Sequence, residues 1–164
     1  MRLADSPLLK PHIGKPAILD SNLLLLQWCA GFDHGLITTF KRLNSFQTED
    51  VELLAGTLKL FSAVRTTPHV LTEVSNLANS LHGRVKEGWC EHFSREVQVI
   101  PEEWTSAATI ATGDFIWLGL TDAALATLAT THVILTIDFP LSNSLESRGL
   151  NVINFTHLRS LWLE

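Results

Sequence analysis

Two apolar runs that each end on an aspartate constrain this 164-residue chain more than any other feature: PAILD at residues 16–20 and VILTID at 133–138. A strand with one wet face alternates apolar and polar residues; these runs do not, and strands of that kind are covered on both sides in parallel sheets. Residues 64–67, VQVIP at 97–101 and NVINF at 151–155 are further short strand candidates, with helical periodicity between them. The alternation predicts an α/β fold, a three-layer sandwich with a central parallel sheet and helices on both faces.

The chain is long enough to bury roughly 70% of its unfolded surface. Its 46% hydrophobic and 18% charged residues, at mean hydropathy +0.19, exclude a mainly disordered state. No repeat and no Pro/Gly-rich linker divides it, so residues 1–164 read as one domain. The apolar runs at 23–26 and 115–118 are far shorter than the ~20 residues of a spanning helix, and no membrane partner is expected. Residues 1–16 carry Asp5 and three prolines without an apolar stretch and cleavage site, which predicts a cytoplasmic protein. Cys29 and Cys90, far apart and outside any CxxC, are expected to be reduced core thiols. The net charge of −5 argues against nucleic-acid binding through a broad basic surface, so any such role must be local.

Along the chain, residues 23–30 form an amphipathic helical stretch after the first run, and residues 31–44 a loop with one short helix around 36–43. Thr48, Glu49 and Asp50 open a helix that buries Val51, Leu54, Leu58 and Phe61. Pro68 opens another, with Val70, Val74, Leu77, Ala78 and Leu81 as its apolar stripe. Further helices are predicted over 84–95, 102–112 and 118–129, the last capped by Thr121. At least three of the tryptophans at 28, 89, 104, 117 and 162 follow helical apolar patterns and are expected in the core.

Four acids stand out by position: Asp20 and Asp138 at the ends of the two apolar runs, Glu73 on a helix and Asp122 at a helix start. In an open parallel sheet the ligand crevice lies outside the carboxyl ends of the strands, where the strand order reverses. Glu73 sits ~40° from Leu77 around its helix, with His69, Asn76 and Ser80 on its other side, so it can reach a cleft while the helix stays docked. An all-carboxylate donor set suits hard cations, Mg²⁺ or Mn²⁺. Each acid also has an ordinary reading: Asp20 as a helix cap, Asp122 as a dipole partner, Glu73 as a solvated residue, Asp138 as a turn former. Their joint placement favours a shared metal site. Asp114 is a lesser candidate ligand, read mainly as a loop acid.

The motifs that contain these acids, D-S-N (Asp20, Ser21, Asn22), L-T-E-V (71–74), G-L-T-D-A (119–123) and L-T-I-D (135–138), resemble the PIN domain in order and spacing over about residues 16–155. The resemblance implies a metal-dependent nuclease acting on RNA, possessed in many bacterial members of a toxin role with an antitoxin partner. It implies Asp20, Glu73, Asp122 and Asp138 as the catalytic, metal-binding quartet. Ser21 and Asn22 would steady the first carboxylate, and Thr136 would assist near the last. Phe139-Pro140 stands where the pattern has a further acid, and residues 31–47 form a longer insert than in the smallest toxins.

The implied chemistry is phosphodiester hydrolysis, with Mg²⁺ or Mn²⁺ polarising the phosphate and activating water. Lys41, Arg42, Arg84 and Lys86, in variable segments, are candidate holders of flanking phosphates. A silent PIN-like module that binds a protein partner, and a DNA-directed nuclease of the same superfamily, are the competing readings. Homodimerisation is expected from Leu and Trp exposed on the terminal helices. The D-S-N turn also resembles haloacid-dehalogenase phosphatases, which need a second Asp where this chain has Asn22. No glycine-rich phosphate loop, GxSxG elbow or zinc-spaced His/Cys set occurs.

Overall fold

A computed structural model describes residues 2–163. The chain runs β1 (Pro16–Leu19), α1 (Ser21–Phe32), α2 (Leu36–Thr39), α3 (Thr48–Leu58), β2 (Ala63–Arg65), α4 (Pro68–Ala78), α5 (Gly83–Val99), α6 (Ala107–Ile110), α7 (Phe115–Leu118), α8 (Leu120–Leu128), β3 (Val133–Thr136), α9 (Phe139–Ser147), β4 (Val152–Asn154) and α10 (Phe155–Leu163). The four strands pair in the order β2-β1-β3-β4, all parallel, with Ile18 level with both Arg65 and Ile134. Helices cover both faces in the three layers that the apolar runs predict, and β3 is buried along its whole length. No helix among the described residues is long and apolar enough to cross a membrane.

The order places β1 between β2, the next strand in sequence, and β3, so the connections leave β1 and β3 in opposite directions. That point, between the carboxyl ends of β1 and β3, is where a crevice opens in such sheets. Asp20 and Asp138 follow these two strands.

Several elements differ from the sequence expectation. Helix α1 is not amphipathic: Leu23, Leu24, Leu25, Leu26, Trp28 and Cys29 are all buried, because α3, α4 and α5 pack around it. Helix α3 buries Leu53, Leu54 and Thr57, while Val51 and Leu58 are half-buried. VQVIP makes no strand; α5 continues to Val99, and only a bridge between Thr66 and Glu102 remains beside β2. Trp89, Phe93 and Val97 recur at helical spacing, and that packing overrides the β preference of the valines. The helix expected over 102–112 shrinks to α6, while α9 and α10 were not foreseen as the elements that flank β4.

Two tryptophans, Trp28 and Trp89, are core residues, and Trp104, Trp117 and Trp162 are exposed. Cys29 is buried and burial pushes its thiol up to about 12, whereas Cys90 is exposed and so is not a core thiol.

Candidate active site

Asp20 caps α1: its Oδ1 accepts the Leu23 N–H at 2.8 Å, as a cap should. Its Oδ2 reaches across the strand-order reversal, accepting from Thr136 Oγ1 and from the Ile137 N–H at 2.9 Å. The residue is buried, and burial pushes its carboxyl above the usual range, against three hydrogen bonds that favour the ionised form; the Asp138 charge adds to the rise. Thr136 is a two-way link, since its Oγ1 also accepts the Asp138 N–H at 2.9 Å. Asp138 in turn caps α9, its Oδ1 accepting the Leu141 N–H at 2.7 Å.

Ser21 and Asn22 do not do what the resemblance implies. Ser21 Oγ donates to Glu73 Oε2 at 2.8 Å and thereby ties α1 to α4, rather than steadying Asp20. Among the described residues no side-chain hydrogen bond involves half-buried Asn22; the first carboxylate is steadied by Thr136 and by backbone N–H groups. The hydroxyl and the two amides are close at hand, whereas Ser21 is turned towards α4.

Asp122 lies in the first turn of α8, after Gly119 rather than Thr121 as the cap. Its carboxyl is raised to about 7, by burial first and then by the charges of Asp138, Asp20 and Glu73 in that order. The four acids therefore share one electrostatic field at the carboxyl end of the sheet. They do not share one ligand sphere: among the described residues, no three His, Cys, Asp or Glu side chains are grouped closely enough to hold an ion as they stand. Ser21 holds Glu73 and the Leu141 amide holds Asp138, and like charges oppose closer approach.

The donor set nevertheless fits a hard cation. Hard cations take carboxylate oxygens, and Glu73 Oε1, Asp138 Oδ2 and both oxygens of Asp122 make no hydrogen bond within the described residues. Three of the acids stand at the cap or in the first turn of a helix, where the positive ends of α1, α8 and α9 offset part of their repulsion.

The basic candidates lie elsewhere. Lys41 and Arg42 line a 740 Å³ cavity with Leu36, Phe40 and His82, beyond the C-terminal end of α4 and away from the acids. Arg84 and Lys86 lie in the first turns of α5, within the helix predicted over 84–95, and Lys86 lines a separate cavity with Trp89 and Cys90. Asp114 forms an ion pair with Arg148 at 2.7 Å and is no free ligand. A second cavity, of 360 Å³, opens beside Glu73 between α4 and the start of α8, and the motifs did not point to it. Its signal was the polar helical face His69, Glu73, Asn76.

No family model, curated protein sequence or solved structure matches this chain.

Proposed function

We propose that this chain is a PIN-like, divalent-metal-dependent endoribonuclease that hydrolyses RNA phosphodiester bonds. The observation that carries the reading is the convergence of four carboxylates around the strand-order reversal, where burial first and then the charges of Asp138, Asp20 and Glu73 raise Asp122 to about 7. Repulsion among gathered acids costs stability, and a bound cation would offset that cost.

Glu73, Asp122 and Asp138 offer open oxygens to Mg²⁺ or Mn²⁺, and Asp20 orients the group through its rigid position. When bound, such an ion supplies charge to the scissile phosphate and acidifies water. Thr136 keeps Asp20 and the Asp138 backbone at a constant separation, and Ser21 limits the motion of Glu73. The N-termini of α1, α8 and α9 add positive potential where phosphate charge develops. Lys41 and Arg42, with Arg84, would hold phosphates distant from the cut rather than next to it.

Cleavage of single-stranded and structured RNA with Mn²⁺ tests the reading, with DNA at matched salt as the comparison. Asp20→Asn and the exposed Glu73→Gln are each expected to lose 10²-fold or more, on the order of the loss for removing one stabilising group. Unchanged rates would remove the quartet from the mechanism.

The second reading, a silent module that binds a protein partner, draws support from Asp20, both of whose oxygens already accept from the protein. Calorimetric titration with Mn²⁺ separates the two, since a silent module shows no binding that depends on Glu73 and Asp122. A homodimer is part of the proposal, carried by Leu161 and Trp162, which α10 exposes.

A further inference from the structure

Seven residues of α4 and α8 surround the 360 Å³ cavity, and its position and lining are unlike those of the basic cavity. Glu73, on its edge, belongs to the acidic quartet, and Thr121 on the opposite wall immediately precedes Asp122. His69, Glu73 and Asn76 fall at spacings of four and three along α4 and so share one face. Pro68 and Leu120 supply the apolar part of the walls.

We propose that this cavity is a nucleobase slot, which takes the splayed base of the nucleotide next to the scissile phosphate; the inference rests on the nuclease reading of the acids. No Lys or Arg is among the described residues that line the cavity, and Glu73 would repel a phosphate, so the group that enters carries no negative charge. Ligand cavities run from roughly 300 to 1,000 Å³, and this one lies at the small end, the size for one ring system with its sugar. His69 makes the polarity specific. Its Nδ1 is buried without a hydrogen-bond partner among the described residues, which leaves a polar atom of this side chain unsatisfied. The imidazole has a second ring nitrogen with which to meet a polar group in the slot. The Asn76 carboxamide adds a donor and an acceptor, the complement of a base edge, and the imidazole face can stack. A base in a duplex cannot enter, so the slot selects single-stranded or looped RNA.

The probes are the four ribonucleosides, which carry no phosphate, observed by NMR in EDTA so that no cation is needed. At least one is expected to shift the His69 and Asn76 resonances, with affinity at least fivefold weaker for His69→Ala and Asn76→Ala at unchanged melting temperature. Asn76→Trp, at an exposed position, should block the slot by bulk and abolish the shift even where His69→Ala folds poorly. No shift, or equal affinity in all variants, overturns the proposal. In RNA cleavage, Asn76→Ala should alter the base preferred beside the cut, read by sequencing product ends. An unchanged preference counts against the slot alone, whereas full activity of Asp20→Asn counts against the nuclease reading and leaves nucleoside binding in EDTA to be judged separately.

Discussion

Asp122 is the residue on which the charge balance of the site is most visible. Its carboxyl stands at about 7 against an ordinary 3.8, so the folded chain binds a proton that the unfolded chain has released. Stability without metal is therefore undiminished below the ordinary value and falls as pH rises through the interval from about 4 to about 7. Asp122→Asn removes that cost. With a chelator present, the variant is expected to exceed the parent by about 1–2 kcal/mol at pH 8, after solvent screening of a half-exposed group, and to match it near pH 4. Urea unfolding at the two pH values measures this, and a variant less stable at pH 8 would show that the carboxylate is structurally required. Asp20 differs in kind: it is a helix cap and a bridge between strands, so its ordinary reading as a cap holds.

At the scale of elements, the placement of Asp122 depends on the start of α8. Gly119, the residue before that helix, has φ +82° and ψ 174°, a region that only glycine enters without strain. A Cβ there meets no atom within 4 Å, so the cost of Gly119→Ala is conformational rather than steric. The substitution is expected to destabilise by roughly 1–3 kcal/mol and to weaken Mn²⁺ binding, as calorimetry and thermal melts can measure. Equal stability would mean that the turn relaxes. Thr121 reads as a cap from its residue type, yet the glycine conformation leaves it inside the helix. VQVIP was misread for a related reason: its alternation fits a strand, but Trp89, Phe93 and Val97 continue a helical stripe against α1.

For the whole molecule, a cation at the acidic end must compete with the protons that burial and repulsion put there. Mn²⁺ is expected to raise the melting temperature more at pH 8 than at pH 6, with a shift that grows with metal concentration. Differential scanning fluorimetry decides this, and equal shifts at the two pH values would place the bound ion outside the quartet. Charge is also unevenly distributed: acids gather at the carboxyl end of the sheet, while Lys41 and Arg42 lie beyond the far end of α4. A strand of RNA that touched both would have to run along that helix.

Apolar runs ending in aspartates were enough to specify a buried parallel sheet and the ends at which Asp20 and Asp138 stand, because burial on both faces and the turn after a strand are local properties of sequence. The strand order β2-β1-β3-β4, the tie from Ser21 to Glu73, the exposure of three tryptophans and the cavity between α4 and α8 arose only when distant segments packed. Those features depend on which surfaces meet, and periodicity along a chain carries no information about its partner in space.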